Sequence, residues 1–220
     1  MENRRKFIKK AGALTALGLV SDWVVGSTSS DSLGEILPQR QLIRNGEKVT
    51  SFCLGGYHLG ITKNPKDAEK MIERSMELGV RFFDNARRYH DGRSEEYMGQ
   101  FLTPKYRDKI FLMTKAPGKT GKEVTEMLDQ SLKALKTDYV DLWQIHHLNT
   151  PADVDDRMNN GVLDAFLEAK EKGKTRYIGF TGHQSPKTHL YFLNILENMG
   201  IELDTCQMPL NVCDPSFESF

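Results

Sequence analysis

Three stretches decide the fold: Val80-Arg81-Phe82-Phe83-Asp84, Ile110-Phe111-Leu112-Met113-Thr114-Lys115, and Tyr139-Val140-Asp141-Leu142-Trp143-Gln144-Ile145-His146. Each is a short apolar run that closes on an ionisable side chain, and runs of this length bounded by turn signals read as buried strands. Arg176 to Phe180, closed by Thr181, and Thr205 to Met208, containing Gln207, repeat the pattern downstream. Upstream, Phe52-Cys53-Leu54 ends at Gly55-Gly56 and gives a sixth apolar run.

Helical spacing fills the intervals. Asn64-Pro65 supplies a cap and a first-turn proline, Ala68, Met71, Ile72 and Met76 share one face, and Gly79 stops the helix. Ser94 is expected to cap a second helix with Glu95 and Glu96 in its first turn, closed by Pro104. Thr120 with Glu123 forms a capping box before Val124, Met127, Leu128, Leu132 and Leu135. Val162 to Leu167 marks a helix ending at Gly173, and Phe192, Ile195, Leu196 and Met199 stripe another ending at Gly200. Near the start, Asn45-Gly46 between Gln41-Leu42-Ile43 and Val49 to Phe52 predicts a tight hairpin with positive backbone angles.

Strands alternating with helices imply a parallel sheet, because each parallel connection needs a crossover. The sheet can be open and doubly wound or closed into a barrel. Asp84, Lys115, His146, Thr181 and Gln207 all sit at C-terminal strand ends, which a barrel gathers at one mouth and an open sheet spreads along a line. The expected fold is therefore α/β, a (β/α)8 TIM barrel. Six strands in 220 residues fall short of the roughly 250 residues such a barrel takes, so the sequence reads as a barrel truncated after about six strands.

Thirty basic residues balance thirty acidic ones, which gives no long-range field for nucleic acid or an acidic membrane and points to a small-molecule partner. Cys53, Cys206 and Cys213 form no C-x-x-C pair, and buried thiols are the expectation, with a Cys206–Cys213 bridge the alternative. No ligand spacing for a metal surrounds His146 and His147. Basic residues from Arg4 to Lys10 precede an apolar stretch from Ala11 to Val20, too short to span a bilayer. Asn3-Arg4-Arg5-Lys6-Phe7-Ile8-Lys9 is similar to a twin-arginine export signal. The expected organisation is residues 1–32 as signal peptide and spacer and 33–220 as the barrel domain. The expected location is periplasmic, or otherwise exported through the twin-arginine translocation machinery, with no stable membrane span.

Arg81-Phe82-Phe83-Asp84-Asn85-Ala86-Arg87-Arg88-Tyr89, followed by Gly92, Ser94, Glu95, Glu96 and Gly99, resembles the signature of the aldo-keto reductase family around its catalytic Asp and Tyr. Thr114-Lys115 is similar to the site of the family's lysine, and Asp141 to His146 to that of its histidine. Gly173-Lys174-Thr175-Arg176-Tyr177-Ile178-Gly179, Gln207 and Asn211 extend the resemblance over nearly all of the chain after the leader.

The resemblance implies an NAD(P)H-dependent reductase of aldehydes or ketones, with NADPH the expected cofactor and NADH an alternative. Tyr89 is the implied proton donor, its pKa lowered by the Lys115 ammonium, with Lys115 held by Asp84 and His146 beside the carbonyl oxygen. Gly56, Tyr57, Asp84, Thr181 and Gln207 are the implied cofactor contacts. Thr181-Gly182-His183 departs from the Ser-Asn found after the fifth strand in many relatives. His147, one residue past His146, is expected to point the other way by strand alternation. A nicotinamide-binding sensor or accessory subunit, as in the potassium-channel beta subunits of this fold, is the competing function.

Overall fold

The computed structural model describes residues 29–44 and 46–209. The expected leader, Asn45, Asn211 and Cys213 lie outside them. Two hairpins come first. β1 (Ser29–Asp31) pairs antiparallel with β2 (Gly34–Ile36), and β3 (Gln39–Gln41) with β4 (Lys48–Thr50). Ser29 to Asp31, expected to be spacer, are thus paired strand, and Asp31 is bound to Arg81. The second hairpin is where the sequence puts it, but its loop is longer than a two-residue turn and Gly46 takes no positive φ.

Six strands then form one parallel sheet in unbroken chain order: β5 (Leu54–Gly55), β6 (Phe82–Asp84), β7 (Phe111–Ala116), β8 (Val140–Ile145), β9 (Thr175–Thr181) and β10 (Thr205–Gln207). A doubly wound sheet would reverse its strand order at a switch point, and none occurs. Nor is the sheet flat. Gln207 Nε2 donates to Asp84 Oδ2 at 3.1 Å, although β10 and β6 are four strand spacings apart, about 19 Å on a flat sheet. The sheet is rolled into a half-barrel, consistent with a truncated (β/α)8 barrel.

Helices α1 (Gly56–Ile61), α2 (Pro65–Glu77), α3 (Arg93–Phe101), α4 (Thr103–Tyr106), α5 (Gly121–Leu135), α6 (Pro151–Asn159), α7 (Val162–Glu171) and α8 (Pro186–Met199) follow the chain. Asn64 caps α2 through Lys66 N–H, and Thr120 caps α5 through Glu123 N–H. The Glu123 carboxylate accepts from Lys119 N–H, so the capping box is not reciprocal. Ser94 is no cap: α3 starts after Gly92, whose φ is +92°, and the Ser94 hydroxyl donates to Gly56 O from inside the helix. Pro104 does not end α3 but sits in the first turn of α4. Helix α6 has no counterpart in the sequence reading. Among the described residues, no helix is long and apolar enough to cross a membrane.

The period of two sorts each strand's side chains onto two faces. Phe83, Leu112, Trp143, Ile145, Ile178 and Phe180 join the large core under the helices, where Trp143 stacks on Phe166 with centroids 3.6 Å apart. Phe111, Met113 and Leu142 form a second cluster with Val49 of β4, flanked by Phe82 and Tyr177. That inner cluster fills the lower half-barrel. Two residues further along the same faces stand Asp84, Lys115, Gln144 and, in the next row, His146 and Thr181, so alternation alone delivers these polar groups to the upper interior.

Candidate active site at the barrel mouth

Lys115 is the hub. Its ammonium, on a side chain only 2% exposed, pairs with Asp84 Oδ1 and donates to Asn85 O at 2.8 Å and to the Tyr89 hydroxyl at 3.4 Å. Strand β7 fixes its height, because Asp84 pairs in register with Met113 and Lys115 with Gln144. Tyr89 follows β6 on a short loop held by Arg87 N–H to Lys115 O and Tyr89 N–H to Ala86 O, both 3.0 Å. Its ring meets His146 edge-on at 6.0 Å and Tyr57 edge-on at 5.4 Å. Asp84, Tyr89, Lys115 and His146 therefore converge, as does Tyr57.

Burial pushes the Tyr89 phenol above its ordinary pKa, and the Lys115 ammonium pulls it back only in part. The sequence expectation of a lowered value is corrected: desolvation outweighs the cation. The phenol is protonated at neutral pH. His146 is pushed down to about 2, first by burial and then by the His147, Lys115, His183 and Arg88 charges. It is a neutral imidazole, and its buried Nδ1 has no hydrogen-bond partner among the described residues.

After Tyr89 the backbone makes a left-handed turn, with φ 53° at His90, 57° at Asp91 and 92° at Gly92. Such angles cost non-glycine residues energy and persist only where surroundings fix them. Arg87 does the fixing: its guanidinium bonds Glu95 at 2.6 Å and fills the space where a Gly92 Cβ would stand. Glu95 is wholly buried and also accepts from the Thr114 hydroxyl at 2.6 Å. The sequence places Glu95 only as a first-turn acid suited to the helix dipole; in the fold it ties the Tyr89 loop to the strand that carries Lys115.

Among the implied cofactor residues, Thr181 and Gln207 are register neighbours on β9 and β10. The Thr181 hydroxyl accepts His147 N–H at 3.1 Å and keeps its own proton to donate. Gln144 Oε1, buried on the same inner face, has no partner among the described residues. A hydroxyl and two carboxamides at one mouth suit a flat amide-bearing ring such as nicotinamide, so the residues present fit that group. Gly56 has a different explanation: a Cβ there would meet Ser94 Oγ at 2.5 Å and Asp84 O at 2.8 Å, so its bareness serves the packing of α1 on β6.

Two further expectations change. The His147 backbone turns left-handed, φ 60°, and brings its ring 4.1 Å from His146 and 4.8 Å from His183 instead of away from them. Cys53 and Cys206, expected to be buried, are exposed.

A lysine-linked tyrosine and a neutral histidine thus stand together at the C-terminal mouth of a parallel α/β half-barrel. The chain belongs to the aldo/keto reductase family, whose sequence profile matches residues 51–219. It is 32% identical over 155 residues to the uncharacterized oxidoreductase YqkF of Bacillus subtilis (strain 168), covering 65% of this chain and 48% of that protein. It is 33% identical over 143 residues to a probable voltage-gated potassium channel subunit beta of Oryza sativa subsp. japonica, covering 57% and 42%. The aldo-keto reductase AKR11C1 from Bacillus halodurans, solved in its holo form, superposes with a TM-score of 0.67 at 24% identity, covering 78% of this chain and 57% of that one, and so supports the fold. The chain spans about half the length of the curated relatives it matches.

Proposed function

We propose that the protein reduces aldehyde or ketone carbonyls, with Tyr89 as the proton donor. The observation that carries this is the Lys115 ammonium bridging Asp84 and the Tyr89 hydroxyl at the barrel mouth. A reduced nicotinamide, NADPH or NADH, held by Thr181, Gln207 and Asp84, supplies the hydride when bound. The chain's own residues do the rest. His146, neutral, donates a hydrogen bond to the carbonyl oxygen and orients it. Tyr89 passes its phenol proton to the alkoxide as charge develops there. Lys115 opposes the negative charge this leaves on the phenol oxygen. Tyr57 walls one side and limits water.

The similarity to a channel beta subunit supports a second reading, a nicotinamide-binding sensor with little turnover. The two separate on one assay with the full-length protein. An enzyme oxidises NADPH over many turnovers with benzaldehyde, whereas a sensor oxidises one bound equivalent and stops. We also propose export through the twin-arginine pathway on the strength of Asn3 to Lys9. Replacing Arg4 and Arg5 by Lys should hold the protein in the cytoplasmic fraction; unchanged fractionation would remove that proposal.

A further inference from the structure

The mouth has a second, adjoining feature. The loops after β6, β7 and β8 enclose a cleft of about 340 Å³ whose lining carries the cations Arg87, Arg88, Lys119 and Arg157, the His147 imidazole and a single acid, Glu123. Most of these charges are committed. Arg87 is bound to Glu95, while Lys119 and Arg157 share Asp153, which burial would raise but these two cations hold below its ordinary value. Arg157 also donates to Gly118 O and His147 O, and Glu123 accepts from the Lys119 backbone. Arg88 is the exception. It is exposed and has no ion pair or hydrogen bond among the described residues, although it directly precedes Tyr89.

We propose that Arg88, with His147 and the rim of this cleft, is an anion subsite that selects carbonyl substrates carrying a carboxylate or phosphate. The proposal rests on the reductase reading of the tetrad beside it. Three observations converge. Arg88 is one residue from the proton donor, and the His147 ring lies 4.1 Å from that of His146, so a group held here is attached to a molecule whose carbonyl sits at Tyr89 and His146. The local field is positive: His147 is held below its ordinary pKa by burial and then by the His183, Arg88, Arg157 and Lys115 charges. Finally, a guanidinium offers a planar fork of donors that matches carboxylate and phosphate oxygens. Nothing covalent happens at this subsite; it orients and retains.

The test uses the full-length protein and the matched pair 4-carboxybenzaldehyde and benzaldehyde. The carboxylated aldehyde should show a KM about tenfold lower, and Arg88→Ala should erase that ratio, with Arg88→Lys restoring part of it. Inorganic phosphate should compete with 4-carboxybenzaldehyde and leave benzaldehyde reduction untouched. Independently of turnover, the His147 ring resonances should shift saturably with 4-carboxybenzyl alcohol and not with benzyl alcohol, and Arg88→Ala should abolish the shift. Equal KM values for the two aldehydes, or a ratio that survives Arg88→Ala, would overturn the subsite. Phosphate binding without any preference for the carboxylated aldehyde would assign the cleft to free anions and overturn it too. If neither aldehyde is reduced the reductase reading fails, while the resonance titration still decides the subsite: no shift, no subsite.

Discussion

The two ends of the half-barrel both bury charge, and they do so in opposite ways. At the N-terminal end the Asp141 carboxylate, on a side chain 2% exposed, forms an ion pair with Arg107 at 2.9 Å and accepts from Arg176 at 2.8 Å and Leu112 N–H at 2.8 Å. Arg81 is equally saturated, giving its guanidinium to Asp31, Met76 O and Val80 O. The two hairpins close over this end. At the C-terminal mouth, by contrast, His146 Nδ1 and Gln144 Oε1 lack partners among the described residues, and the Tyr89 hydroxyl has only the long contact to Lys115. Where every donor and acceptor is matched, buried charge is structure. Where capacity is left over beside a cation, it is available to a substrate.

That contrast can be broken by substitution. Asp141→Ala removes the buried acceptor of the Leu112 N–H and the carboxylate that Arg107 and Arg176 share, and should cost about 3–5 kcal/mol in urea unfolding, as for other broken buried pairs. A loss under about 1 kcal/mol would mean that the closed end is not held by charge. Lys115→Met should cost less than Asp141→Ala in the same measurement, since Asp84 is 17% exposed and keeps Gln207, yet it should remove turnover. Equal stability losses at the two ends would erase the distinction.

Gly92→Ala tests the strained turn. With φ at +92° and Arg87 in the way, it should destabilise by about 1–3 kcal/mol and lower kcat by loosening Tyr89. The smallest effect is the pH dependence. The folded pKa of His146, about 2, lies below its ordinary 6.5, so the unfolded chain binds more protons between those values. Its contribution to stability is complete above pH 6.5 and lost as pH falls toward 2. The midpoint of thermal unfolding should therefore drop on acidification from about pH 7 to 5, and His146→Gln should flatten that slope.

Much of this was legible in the sequence because strand alternation is rigid. Once the apolar runs were placed, Asp84, Lys115, His146 and Thr181 fell at C-terminal strand ends, and the strand-helix alternation implied a parallel sheet. What escaped depended on contacts that no local pattern encodes. Helix α6 carries few apolar residues and packs through Val154 and the buried Arg157, so its periodicity was faint, although Thr150-Pro151 is a cap and first-turn proline of the same kind as Asn64-Pro65. Glu95 was legible only as a first-turn acid because its partners, Arg87 and Thr114, lie on other elements. His147 was misdirected because alternation was extended two residues past Ile145, where β8 ends. The Tyr89 pKa was misjudged in sign because a charge pair can be read from spacing and depth of burial cannot.

The most direct test of the mouth as a proton-delivery site is Tyr89→Phe, followed by stopped-flow oxidation of NADPH with benzaldehyde in the full-length protein. The account predicts that turnover falls by about 10²–10⁴-fold with the unfolding midpoint unchanged, since the phenol's one hydrogen-bond contact is long. Turnover within about threefold of the parent would contradict it, because removing a general acid costs at least about a hundredfold.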